Sequence, residues 1–449
     1  MTIVDYRKQL IIVLLLSVFA ASVVYDTRFI LQFDTLKTLV AAAIVAALGA
    51  IFLLARYPAN LIQPAIWAAW PLHLFTICFL GVSWCFHGGS QLGSIIAYTI
   101  VAYATYLLVP LCLLLDRGLF DAFVKIVAVG SALLAIPCYV GALGIDNIAG
   151  FPLSNKYSYS QFSGIVASGG IFEHAEGHSL QMAIGMFCCF YAWRKSGKWL
   201  YAVCLAMTLA GLAVSQGRGA LFGVMIAIAF CWLPELFRRS QPLFIGSLAL
   251  CLVFPFLVWP QLSNIPGVAS YLRMERGLSG RDVAWLYAIE LVKEKPWTGY
   301  GFETAGELSE EGHKELRSSG YSGAGTTFHN TFVTKAVELG LVTTFFYSLM
   351  YVVSLARICI PTVHIFEQQL IRNVLVLSLT ASIFRDYNVG GVRSTAILVA
   401  VFLGLANLLA LVARFEQVPQ DIDDSPATQV RTVPSAGQRM LNSSGQRGS

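Results

Sequence analysis

The stretch Leu36-Lys37-Thr38-Leu39-Val40-Ala41-Ala42-Ala43-Ile44-Val45-Ala46-Ala47-Leu48-Gly49-Ala50-Ile51-Phe52-Leu53-Leu54-Ala55-Arg56 carries no charge between Lys37 and Arg56. A helix of about 20 such residues spans the roughly 30 Å hydrocarbon core of a bilayer. The rest of the chain repeats the pattern. Of its 449 residues 57% are hydrophobic and 12% charged, whereas a soluble domain carries about 25% charge. That balance excludes an ordinary solvated enzyme and implies an all-α polytopic membrane protein. The net charge of +5 is spread over loops, which argues against nucleic-acid binding.

About twelve transmembrane helices are expected, at 9–25, 36–55, 64–86, 92–115, 120–143, 176–193, 198–216, 218–236, 242–260, 328–356, 369–388 and 393–413. The first apolar run follows Arg7 and Lys8 without a small-residue cleavage site, so it reads as a retained helix. With the N-terminus cytoplasmic, the inner loops hold Arg7, Lys8, Arg56, Arg117, Arg194, Lys195, Lys198, Arg238, Arg239, Arg357 and Arg372. The outer short loops hold mainly Arg28, Lys37, Lys156, Arg218, Arg385 and Arg393. This bias puts both termini inside. The ten cysteines lie in or beside apolar blocks, without zinc-finger spacing, and read as small buried thiols.

Two outer segments are long, 144–175 and 261–327, and the second is of a length usually reserved for function. Residues 1–415 form the transmembrane domain. The stretch 416–449, rich in Ser, Gln, Pro and Gly, reads as a disordered cytoplasmic tail. No internal repeat is visible, which weighs against a transporter built from inverted repeats.

The chemistry concentrates on the outer side. Ser279-Gly280-Arg281-Asp282 has capping-box spacing, and Trp285, Leu286, Ile289 and Val292 follow at helical spacing. A surface helix of about four turns, ending near Pro296, is expected. Arg281 in its first turn is explained by a bound anion, or is an ordinary solvated cation. Gly299-Tyr300-Gly301-Phe302 lacks the third glycine of a dinucleotide fingerprint and reads as a turn. A charged helical piece between Glu303 and Arg317 then leads through the flexible run 318–325 to the tenth span.

At the start of that span, Thr327 as N-cap would put His329 in the first helical turn. The dipole there disfavours imidazolium, as suits a general base for a hydroxyl at the membrane surface. The alternative is a structural histidine bonded to backbone. Lys335 and Glu338, three apart, can pair within the span, as a functional or a structural ion pair. Arg218, in Ser215-Gln216-Gly217-Arg218-Gly219, sits in a tight turn whose glycines permit close approach, and can clamp a phosphate. Arg385, Asp386 and Arg393 add anion contacts or act as interfacial anchors. His174 and His178 have the spacing of a helical zinc pair, but the order of a metalloprotease motif is absent, and no metal site is assigned.

Together these pieces resemble the bacterial O-antigen ligase family, within the O-antigen ligase and polymerase superfamily. The closest signature is His-[Asn/Ser/Gln], nine residues, Gly, two residues, [Gly/Thr/Tyr], met here by His329-Asn330, Gly340 and Thr343. Ser215 to Gly219 is similar to the family's arginine turn, Ser279-Gly280-Arg281 with Trp285 to the start of its periplasmic helix, and Pro296 to Gly301 to the turn after it. The resemblance covers roughly residues 200–345; the N-terminal spans match in character only.

It implies a GT-C-type glycosyltransferase in the bacterial inner membrane with a periplasmic active site. The donor would be O-antigen polysaccharide on undecaprenyl diphosphate, and the acceptor a sugar hydroxyl of lipid A–core. The implied reaction is inverting and needs no metal or other cofactor. His329 would be the base and Arg218 and Arg281 the diphosphate clamp, with Asn330, Lys335, Arg385 and Arg393 binding substrate. The alternatives are an O-antigen polymerase, a protein-acceptor O-oligosaccharyltransferase and, from another class, a lipid-linked glycan transporter.

Overall fold

In the computed structural model the described residues are 3–27, 29–30, 33–88, 91–148, 150–153, 167–239, 281–318, 328–360, 365–386 and 389–417. Met1–Ala413 form one compact unit. Of the second, Arg414–Ser449, the description reaches only Gln417, so the expected tail lies outside it.

The architecture is helical: α1 (Ile3–Tyr25), α2 (Asp34–Leu54), α3 (Ala59–Ala68), α4 (Trp70–His87), α5 (Leu92–Tyr103), α6 (Val109–Leu115), α7 (Arg117–Ala142), α8 (Ala175–Ser196), α9 (Trp199–Ser215) and α10 (Arg218–Arg239). After the undescribed stretch come α11 (Arg281–Glu294), α12 (Ala305–Ser318), α13 (Thr331–Ile358), α14 (Ile365–Phe384) and α15 (Ser394–Gln417). A small hairpin, β1 (Asn147–Ile148) against antiparallel β2 (Phe151–Pro152), sits between α7 and α8.

Local chemistry explains the breaks. Asp116 caps α7, its carboxylate accepting from Gly118 N at 2.8 Å and Leu119 N at 3.2 Å while holding Lys8 Nζ at 2.8 Å. Gly197, left-handed at φ +67°, ends α8 and lets the chain turn directly into α9. The span expected at 92–115 is continuous, but Ala104–Leu108 is a π turn. Pro110 follows it and has no N–H for the ordinary ladder, so the widening falls where that ladder is already interrupted. At this turn Gly404 of α15 lies against the Tyr106 carbonyl, with no room for a Cβ.

Eleven of the expected spans fall on described helices, and the one at 242–260 lies outside the described residues. Three differ in form. The span at 64–86 is broken at Ala69 into α3 and α4, the span at 328–356 starts at Thr331 and is kinked at Gly340, and the helix expected at 369–388 stops at Phe384. Among the described residues seven segments are long and apolar enough to cross a membrane. Helix α9 and the Arg218–Phe230 part of α10 are shorter apolar helices. Position within the bundle also varies. From Ser394 to Ala413, α15 is buried almost throughout, as befits a helix apolar on every side, whereas α2 is mostly exposed and peripheral.

Polar links separate the two ends of the bundle. At one end Lys8 meets Asp116, and Lys195 meets Asp121 at 2.8 Å and Glu367 at 3.3 Å. At the other, Thr27 bridges Phe172, Asp26 accepts from Ser394, His87 meets the Thr298 carbonyl and Arg385 pairs with Glu176. This second end gathers the loops in which the sequence concentrates its chemistry.

The surface helix α11 forms as expected, but its buried face is different. Ala284, Ala288 and Leu291 pack with Phe328 and Val337, while Leu286 and Ile289 are exposed. Small side chains let α11 approach α13 closely. The larger apolar residues face outward, as suits a helix at a membrane surface.

Candidate active site around His329

The site is built on the start of α13. Asn330, not Thr327, is the N-cap: its side chain accepts from Phe332 N at 2.9 Å and Val333 N at 3.1 Å. Thr327 lies outside the described residues. His329 therefore sits just before the helix rather than in its first turn, because the cap, three residues further along the chain than expected, satisfies the orphan N–H groups. Its backbone is left-handed at φ +49°, a conformation that costs a non-glycine residue about 1–3 kcal/mol. The neighbours hold it there. Phe328 is buried in the α11–α13 core and its carbonyl accepts from Trp285 Nε1 at 2.7 Å. Thr331 donates from Oγ1 to the Arg385 carbonyl at 2.9 Å.

The glycine of the motif also acquires a reason. At Gly340 the backbone of α13 has φ +75° and ψ 172°, open to glycine alone. The freed backbone groups bind the turn after α11: Tyr300 N donates to Val337 O and Gly301 N to Glu338 O, each at 2.9 Å, and Leu341 N donates to Pro296 O at 2.7 Å. The Pro296–Gly301 turn is thus a strap across the kink, not a nucleotide loop. Below it Lys335 and Glu338 form a buried pair at 2.7 Å, with the ammonium over the rings of Tyr98 and Phe302. Lys335, expected to bind substrate, is 1% exposed and presents no surface for one in this conformation.

The arginine turn joins α9 to α10. Gln216 is left-handed at φ +52°, Gly217 packs on Ser179 and Gly219 on Phe384. Ser179 Oγ donates to Ser215 Oγ at 2.8 Å, tying the turn to α8. Half-buried Arg218 opens α10. Its turn therefore meets the end of α14 at Phe384, and the His329 segment meets the same end at Arg385. Arg385 in turn pairs with Glu176, one turn before Ser179 on α8.

Around them lies a ring of charge. Arg393, 47% exposed, reaches Glu173 at 3.4 Å and Asp26 at 3.8 Å. Asp26 accepts from Ser394 N at 2.9 Å and Oγ at 2.7 Å, capping α15. Burial raises the Asp26 carboxyl above its ordinary range, against the pull of Arg393 and Ser394. His174, next to Glu173, is pushed down to about 4 by burial and the Arg385 cation, with Glu173 and Glu176 opposing. His178 is fully buried, edge-on to the Phe172 ring. No group of three or more His, Cys, Asp and Glu among the described residues has metal-holding geometry.

The turn bearing Arg218 and the segment bearing His329 and Asn330 thus both meet the end of α14, at Phe384 and Arg385, while Arg393 is tied to Asp26 and Glu173. Arg281 begins α11 one turn before Trp285, which contacts the residue preceding His329. Sequence reasoning missed Glu176 as the partner of Arg385, Thr331 as the tie to α14, and Asp26. Opposite charges at the outer ends of two expected spans could have suggested the first. The other two are single polar residues whose partners are remote in sequence.

The arrangement carries arginines and a histidine on segments that meet at one helix end. A family model described as O-Antigen ligase matches residues 182–348, from within α8 to within α13, taking in Arg218, Arg281, His329, Asn330 and Lys335. No curated protein matches the chain. Residues 182–348 of this all-α polytopic membrane fold are thus similar to the O-antigen ligase family, which supports membership of that superfamily.

Proposed function

We propose that the chain is an O-antigen ligase. It transfers O-antigen polysaccharide from undecaprenyl diphosphate to a sugar hydroxyl of lipid A–core, at the periplasmic face of the bacterial inner membrane. The observation that carries this reading is the meeting of the Arg218 turn and the His329–Thr331 segment on Phe384 and Arg385. A cation suited to a diphosphate and a base suited to a hydroxyl, on segments that meet at one helix end, support this reading.

His329 takes the proton of the acceptor hydroxyl as its oxygen attacks the anomeric carbon. The bond from that carbon to the diphosphate breaks on the opposite face, so the configuration inverts. Undecaprenyl diphosphate leaves with the electron pair, and the imidazolium returns its proton to water. Arg218 and Arg281 stabilise the charge on the departing diphosphate, where guanidinium geometry suits paired oxygens. The diphosphate is a competent leaving group, so arginines serve where a divalent metal could. Arg385 and Arg393 line the approach, Asn330 shapes the start of α13, and Lys335 supports the site through Glu338 instead of touching substrate.

Reconstitution tests this. The purified chain in lipid vesicles is mixed with undecaprenyl-diphosphate glycan and lipid A–core, and product size is followed with each component omitted. Transfer that requires lipid A–core is the expected outcome. Elongation of the glycan on its own carrier would make the chain a polymerase, attachment only to an added protein a protein-acceptor transferase, and donor movement without bond formation a transporter.

A further inference from the structure

We propose that Trp285 is a positioning residue that holds His329 in its working geometry through the carbonyl of Phe328. This rests on His329 being the base. Trp285 Nε1 donates to that carbonyl at 2.7 Å, across 43 positions of sequence. The peptide it grips is the one that leads into His329, whose φ of +49° is set by the rotation of that same peptide. Thr331, on the other flank, is tied to the Arg385 carbonyl at 2.9 Å, and Asn330 is committed to capping α13. His329 is thus fixed on both sides, and of the two ties only the Trp285 one comes from the surface helix.

The consequence is a mechanical link between two parts of the site. Arg281 opens α11 one turn before Trp285, and Ala284, Ala288 and Leu291 seat that helix against Phe328 and Val337. A shift of α11 that moved Arg281 would pull on the Phe328 carbonyl and turn the histidine. The diphosphate clamp and the base are therefore coupled through one indole N–H, and the left-handed backbone is kept because its surroundings over-determine it.

The test uses the full chain in nanodiscs, labelled with [13Cε1]histidine, with the His329 signal assigned by its loss in His329→Asn. In Trp285→Phe, which keeps an aromatic ring but loses the donor, the His329 signal should move while that of His73, on α4 with its Nδ1 2.7 Å from Tyr103 Oη, stays in place. An unmoved His329 signal in the folded variant overturns the proposal. If Trp285→Phe does not insert, replacement of Trp285 by benzothienylalanine, which exchanges only the indole N–H for sulfur, gives the same decision. In the transfer assay Trp285→Phe should lower kcat about tenfold, with acceptor KM within about twofold, as loss of one half-buried hydrogen bond predicts. It should add nothing on a His329→Ala background, and Trp285→His should recover part of the loss. Equal losses in both backgrounds would reduce Trp285 to a stabilising residue and also overturn the proposal. A wild-type chain without transfer activity would refute the ligase reading, while the histidine signals would still decide the positioning role.

Discussion

Gly340 of α13 lies directly against the carbonyl of Trp297: a β-carbon on Gly340 would overlap that group, and the next residue, Leu341, donates its N–H to Pro296 O at 2.7 Å. The kink in the tenth expected span and the strap after the surface helix are thus one feature. The strap also reaches α4, where His87 Nε2 donates to the Thr298 carbonyl at 3.1 Å.

Gly340→Ala should therefore be among the most damaging single-methyl additions in the chain. The glycine-only backbone and the collision with Trp297 add, for a loss of about 3 kcal/mol or more. Thermal denaturation in detergent would measure it. Gly49→Ala is the control: Gly49 lies in α2 with open space around its Cα, and alanine there should be neutral or slightly stabilising.

The Lys335–Glu338 pair should behave as a unit. Lys335→Met alone leaves a buried carboxylate without its cation and should cost about 3–5 kcal/mol. Combined with Glu338→Leu it should recover most of that loss, because two apolar residues of similar volume need no partner. Unfolding midpoints of the two single variants and the double variant form the check. Retained glycan transfer in the double variant would agree with a supporting role for Lys335.

His174 should make stability depend on pH in an acidic window. Its pKa is near 4 in the folded chain, against about 6.5 for an unperturbed histidine. Between those values the unfolded chain binds more protons, so stability falls as pH is lowered from about 6.5 towards 4. Burial first and then the Arg385 cation are the cause, with Glu173 and Glu176 opposing. His174→Gln should flatten the midpoint-versus-pH curve in that window and leave it unchanged above pH 7.

Arg218 and His329 should both prove necessary in transfer assays. His329→Ala should lower transfer about a hundredfold or more, as for loss of a general base, with the protein still inserted. Arg218→Ala should fall by a similar factor, and Arg218→Lys should restore only part, since an ammonium keeps the charge but not the paired donors. Normal transfer in both alanine variants would remove the base-and-clamp mechanism.

Much of the helical architecture was legible because apolar length is a property of contiguous residues. The limits of α2, α7, α9 and α15 follow within a few residues from where charge and glycine interrupt the apolar runs. The breaks at Ala69 and Gly340 were not legible as such. The first is an interruption between two apolar stretches. The second depends on a strap 40 residues upstream that takes over the α13 carbonyls.

The sequence by itself determined the membrane class, the helix inventory and a short list of chemical residues, because charge is so scarce here that each loop cation and histidine stands out. Only the tertiary structure decided which of them meet. It moved His329 out of the helix by making Asn330 the cap, buried Lys335 against Glu338, and joined Arg218 to the histidine segment through Phe384 and Arg385. Those outcomes depend on hydrogen bonds and close packing between residues tens to hundreds of positions apart, which local pattern and composition do not encode.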